Sequence, residues 1–194
     1  MFIDGDIKIF GDVDHLLIQT VLKTIDDINW HDKKFNRYES SLIEGRLCTL
    51  PYLIRNQNQQ TYTDDQKKLI EAVMPIVNQV SNYFSDLVIV RGEIVNLLPG
   101  KELTLHKDIY WFHKYSRRIH IPLCTNSECR QIFEDREYHL TVGKFYEINN
   151  RILHSAYNQG SLDRIHIILD LMSKEKNKEA LDQPGLVLRI ENET

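Results

Sequence analysis

Residues 164–172 read RIHIILDLM, and the spacing within this stretch decides the fold. Its polar and apolar side chains alternate with a period of two, which places Arg164, His166 and Ile168 on one face of an extended strand. The same texture runs back to residue 88. VIVRGEIVNLL, RRIHIPLCT, RQIFED, REYHLTV, KFYEINN and LHSAYN are all short β-type runs, separated by turn signals such as PGKE, TNSE, VGK and NQGSLD. Seven or eight strands packed into about 85 residues predict a β-sandwich or jelly-roll barrel.

Upstream of residue 88 the period changes to 3.6. Val13, Leu16, Leu17, Val21, Ile25 and Ile28 form one apolar helical stripe, with Asp12 or Asp14 able to cap it. Leu69, Val73, Ile76, Val77, Val80 and Phe84 form a second stripe, opened by Thr63 and the acidic pair Asp64 and Asp65. Pro75 predicts a kink or a break in that second helix. Between the helices, the stretch around Leu47, Thr49 and Tyr52 can supply a strand. The expectation is therefore an α+β fold in a single domain over 1–194. It comprises a helix-rich part (1–87) packed on one sheet, a β-core (88–172) and a C-terminal extension (173–194) that reads as a short helix with an added strand or as a tail.

At 194 residues the chain can bury a substantial core without disulfides. A net charge of -4, with both signs interspersed, argues against nucleic-acid binding. Cys48, Cys124 and Cys129 are odd in number and lack C-x-x-C spacing, which suits a reducing compartment. Acidic residues stand where a signal peptide would be basic, and no apolar run reaches the roughly 20 residues of a membrane span. A cytoplasmic, membrane-free protein is expected.

The chemistry is concentrated in the β-region. His106-x-Asp108 presents an imidazole and a carboxylate on one side of an extended segment, and His154 begins another run. Two His and one carboxylate form the facial ligand set of non-haem Fe(II) sites, which leaves coordination positions open. Arg118 shares a face with His120, as Arg164 does with His166. These arginines either line an interior that a bound carboxylate would neutralise, or lie outside, paired with Glu137, Glu147, Asp163 or Asp170. Alternation alone leaves both arrangements open.

The ordered set G92-x-I-V-N-L-L-P-G, H106-x-D108, R118-I-H120-I-P-L, H154-S-A-x-N158 and R164-I-H-I-I-L-D170 resembles the aspartyl/asparaginyl β-hydroxylase family, and within it the bacterial proline hydroxylases, which keep the H-x-D carboxylate. A weaker echo lies upstream at Trp30, Arg37 and the segment 47–53.

The resemblance implies a double-stranded β-helix, a cupin-like jelly roll, and an Fe(II)- and 2-oxoglutarate-dependent dioxygenase using O₂. It implies His106, Asp108 and His154 as iron ligands, Arg164 on the distal carboxylate of 2-oxoglutarate, and Arg118 with His120 near the carboxylate at the metal. The substrate implied is an amino acid, free and proline-like, or an Asp/Asn-type residue in a peptide or protein. Tyr52, Arg55, Tyr110, Trp111 and Phe112 are candidate pocket residues, and His113 and His139 are expected at the surface or behind the ligands. The competing reading is a non-catalytic jelly-roll protein that binds a metal or an anion.

Overall fold

The computed structural model describes residues 3–28, 45–49, 63–108 and 111–182. The elements, in chain order, are β1 (Ile7–Asp12), α1 (His15–Asp27), β2 (Gly45–Thr49), α2 (Asp64–Tyr83), β3 (Leu87–Leu97), β4 (Lys101–His106), β5 (Arg117–Cys124), β6 (Cys129–Phe133), β7 (Arg136–Tyr138), β8 (Lys144–Ile148), β9 (His154–Asn158), β10 (Arg164–Ser173) and α3 (Lys174–Asp182). A 3-10 turn, Trp111–Lys114, precedes β5.

Both helices begin where the sequence supplies a cap. Asp14 accepts from Leu16 N–H at 2.8 Å to start α1. Thr63 and Gln66 form a reciprocal capping box at the start of α2, satisfying two amide donors that the first turn cannot pair internally. Pro75 does not split α2, which runs unbroken through Tyr83. Proline forfeits one backbone hydrogen bond there, while Val73, Ile76 and Val77 on either side stay buried and hold the helix to its sheet. Leu16 departs from its expected place, being 67 % exposed, and Ile18 takes the buried position instead.

The strands form two antiparallel sheets. One has six strands in the order β1-β8-β5-β10-β3-β2, the other four in the order β4-β9-β6-β7. In the larger sheet, Ile94, Ile119, Ile121, Leu123, Phe145, Ile165, Ile167, Leu169 and Leu171 join the apolar stripes of α1 and α2 in one buried cluster. The helices thus take one face of that sheet. Its other face carries Arg118 and His120 from β5 and Arg164, His166 and Asp170 from β10, all buried. The smaller sheet reaches this polar face: Gln131 Oε1 on β6 accepts from Arg164 Nη2 at 3.1 Å. Further along, Asn158 Nδ2 on β9 donates to Leu97 O on β3 at 2.9 Å.

One strand escaped the sequence reading, and β4 was read only at its end, as the extended segment of His106. β1 pairs with β8, and Gly11 is needed there, because a Cβ would come within 2.5 Å of the Phe145 ring. β4 begins inside PGKE, which reads locally as a turn. The short helix after β10 is α3. Among the described residues no helix is long and apolar enough to cross a membrane. Cys124 and Cys129 are free thiols. Trp30, Arg37, Tyr52, Arg55 and Tyr110 lie outside the described residues, as do the side chains of Cys48, Trp111 and Phe112 and the added strand after residue 182.

Candidate metal centre

His106 ends β4 and His154 begins β9, and the antiparallel register of these strands sets the two directly opposite each other. Their ring centroids are 4.4 Å apart. Asp108 lies just beyond the end of β4, where its N–H donates to Asn150 O at 3.1 Å. Nε2 of His106 is 3.8 Å from Asp108 Oδ1, and Nε2 of His154 is 3.9 Å from Asp108 Oδ2. One donor atom from each of the three residues falls within 4.8 Å of the others. Ligand bonds of about 2.1 Å let two donors lie up to roughly 4.2 Å apart around one ion. The two His–Asp separations fall inside that span and the cluster as a whole, at up to 4.8 Å, is slightly wider, so the three residues form a candidate site that would draw in around one ion.

The hydrogen bonds on the far side of each ring fit the same assignment. His106 Nδ1 sits 2.6 Å from Thr104 O, and His154 Nδ1 sits 3.0 Å from Ile152 O. A carbonyl can only accept, so each Nδ1 carries the proton and each Nε2 keeps its lone pair for a metal. Burial lowers the pKa of His154, favouring the neutral form that ligates. Phe133, fully buried and paired with His154 in the sheet, stacks on its ring with centroids 6.1 Å apart.

Asp108 is held ionised. Burial opposes its charge, but the Arg118 guanidinium, with help from Asn150, overcomes that cost and keeps the carboxyl well below its usual range. Both partners act on Oδ2: Arg118 Nη1 donates to it, and so does Asn150 Nδ2 at 2.9 Å. Arg118 is itself fixed by Asp170, its neighbour across the β5–β10 pairing, through Nε at 2.9 Å and Nη2 at 3.0 Å. Arg118 Nη2 also lies 2.7 Å from His113 Nε2. On its other side Asp170 pairs with Arg91 of β3 at 3.3 Å, and Arg91 in turn bridges Glu93. Burial pushes the His113 pKa down to about 4, and Arg118 adds to the shift.

The aspartyl/asparaginyl β-hydroxylase family profile matches residues 20–174, about four-fifths of the chain. The chain belongs to this family. A curated relative, L-proline cis-4-hydroxylase of Rhizobium meliloti (strain 1021), is 26% identical over 98 residues, which is 50% of this chain and 35% of that enzyme. The match thus spans about a third of that relative's length. Among solved structures, the non-heme α-ketoglutarate-dependent epimerase SnoN from nogalamycin biosynthesis superposes with a TM-score of 0.59 at 14% identity, covering 87% of this chain and 78% of its own. A Pseudomonas putida prolyl-4-hydroxylase superposes with a TM-score of 0.55 at 9% identity, covering 87% and 93%. These two likenesses are of fold.

In this member of the β-hydroxylase family both arginines singled out by alternation are buried, at 7% exposure for Arg118 and 4% for Arg164. Their situations differ. Arg118 lies among carboxylates. Arg164 has, among the described residues, only Gln131 as a hydrogen-bonding partner, and burial lowers its pKa to about 10. Next to it on the same face, His166 Nδ1 meets His120 Nδ1 at 3.3 Å, while Nε2 of both rings is buried without a partner among the described residues. Burial, followed by the Arg164 charge, drives both imidazoles well below their ordinary pKa.

Lys107 is exposed and His139 is a surface residue. His113 is buried behind the metal cluster, against Arg118. One site residue was not foreseen, and Asp170, named only as a possible partner of arginines lying outside, is found inside beside Arg118. Asp170 shares the even-numbered face of RIHIILDLM, so alternation could have placed it beside Arg164 and His166. Asn150 carried no signal, since the NN pair after β8 looks like any turn.

Proposed function

We propose that this protein is an Fe(II)- and 2-oxoglutarate-dependent hydroxylase acting on an amino acid, either free and proline-like or an Asp/Asn-type residue in a peptide or protein. The observation that carries the reading is Arg164, a buried guanidinium with no carboxylate beside it among the described residues, on the same polar face as Arg118, which contacts Asp108 of the metal cluster. An unpaired buried cation is costly, and a dicarboxylate that supplied the missing charge would be held by the planar fork of the arginine. Family membership supports the same conclusion. The two antiparallel sheets fit the double-stranded β-helix expected of such enzymes.

In this reading His106, Asp108 and His154 hold the ion. Arg164 takes the distal carboxylate of 2-oxoglutarate. His120, with its unpartnered Nε2, takes the carboxylate near the metal, assisted by Arg118. Four of the five Arg118 N–H groups are used by Asp170, His113 and Asp108, so one remains on Nη1, the nitrogen that touches Asp108. The bound ion supplies the oxidative decarboxylation chemistry that inserts one O₂ oxygen into a substrate C–H bond and leaves succinate and CO₂. The protein's part is to orient the reactants and exclude water.

The test begins without oxygen. Adding Fe(II) and 2-oxoglutarate to the protein should produce a visible charge-transfer absorption. Admitting O₂ with L-proline, other amino acids or Asp/Asn-containing peptides should then release succinate. Absence of both signals would refute the reading.

A further inference from the structure

We infer that Asp170 is a positioning residue for the metal centre, acting through Arg118 to confine Asp108 to one-point ligation through Oδ1. Asp108 is a ligand candidate with two oxygens in unlike surroundings. Oδ2 accepts from Arg118 Nη1 and from Asn150 Nδ2, as many donors as a carboxylate oxygen has lone pairs. Oδ1 lies 3.8 Å from His106 Nε2 and accepts no hydrogen bond among the described residues, while Oδ2 lies 3.9 Å from His154 Nε2. A carboxylate with one oxygen so engaged is disfavoured from chelating an ion with both. The coordination position that chelation would have taken is left for a co-substrate atom.

The restraint needs an anchor, because an arginine side chain has many rotamers and its head must not swing away from Asp108. Asp170 provides it. The carboxylate grips Nε and Nη2 of Arg118 in a two-point fork, from the adjacent strand and the same register row, in a location with no exposure at all. Arg91, the partner of Asp170 in β3, faces its other flank, so the carboxylate lies between two guanidinium groups. A row of three strands thus ends at the metal ligand: Arg91, Asp170, Arg118, then Asp108. This inference rests on the metal-centre part of the proposed function and not on the identity of the substrate.

The probe is Co(II), whose binding and visible spectrum can be followed without turnover. Wild-type protein should bind it, and Asp170→Asn should weaken that binding at least about tenfold, as expected when an outer partner of a metal ligand is lost. Arg118→Met should weaken it by a similar or larger factor. Since Asp170 acts only through Arg118, the double variant should bind Co(II) no more weakly than Arg118→Met alone. Melting of the metal-free forms separates folding from positioning, and the double variant, which removes both buried charges together, guards against simple misfolding. Asp170→Asn with wild-type Co(II) affinity, or losses that add in the double variant, would overturn the inference while leaving the metal centre intact. Wild-type protein that fails to bind Co(II) would bring down the metal centre as well.

Discussion

His106 and His154 are 48 residues apart in the chain yet stand as direct cross-strand partners, with ring centroids 4.4 Å apart. The donor set therefore exists only once β4 and β9 have paired, and metal binding adds its free energy to folding. A metal at 100 times its dissociation constant should stabilise the wild type by about 2.7 kcal/mol. In His106→Ala, Asp108→Ala or His154→Ala, thermal melting with and without Co(II) should show that increment reduced to near zero.

Arg164 predicts opposite effects on stability and on binding. Arg164→Met removes an uncompensated buried charge and replaces it with a flexible apolar side chain. Gln131 keeps its own donor bond to Ser155 O at 2.9 Å. The metal-free variant should melt at or above the wild-type temperature. Its affinity for 2-oxoglutarate, measured calorimetrically with the metal present, should fall on the order of 100-fold.

His120 and His166 make the metal-free fold acid-sensitive. Both are fully buried and neutral, with pKa values well below the ordinary 6.5. Below that value the unfolded chain binds protons that the folded chain refuses, so stability is present above pH 6.5 and declines as pH falls beneath it. Each such histidine contributes a slope of about 1.4 kcal/mol per pH unit. His113 adds to the slope until its folded pKa of about 4 is reached. Urea denaturation between pH 7 and 5 should show the decline, and His166→Leu should flatten it.

Thr63 tests stability apart from chemistry. Its capping box with Gln66 starts α2, far from the metal ligands in the chain. Thr63→Ala should cost about 1 kcal/mol, lowering Tm by roughly 2–4 °C. Co(II) affinity should not change.

Much of this molecule is legible from local pattern, because alternation with a period of two fixes the face of each β-run without reference to its neighbours. Arg118, His120, Arg164 and His166 were placed on common faces in that way, and all four are buried on the polar face of the larger sheet. What pattern could not supply was pairing. Whether Arg118 faces in or out was undecidable until Asp170, 52 residues away, was seen beside it in the sheet. β1 was missed for the same reason: its partner β8 (Lys144–Ile148) lies far along the chain, and a run with Gly11 and flanking acidic residues carries little strand signal. Pro75 shows the converse: the break it signals does not occur, and the buried residues around it keep α2 in one piece.

β10 has a consequence for anyone redesigning this protein. Its odd-numbered residues, Ile165, Ile167, Leu169 and Leu171, face the helices, while Arg164, His166 and Asp170 face the other way. Durability and reactivity are thus written in alternate letters of a single ten-residue word. A combinatorial library confined to the odd positions should yield clones that differ in heat tolerance but share one ligand preference. A library confined to the even positions should alter ligand preference, with heat tolerance shifting as well because Arg164, His166 and Asp170 are buried.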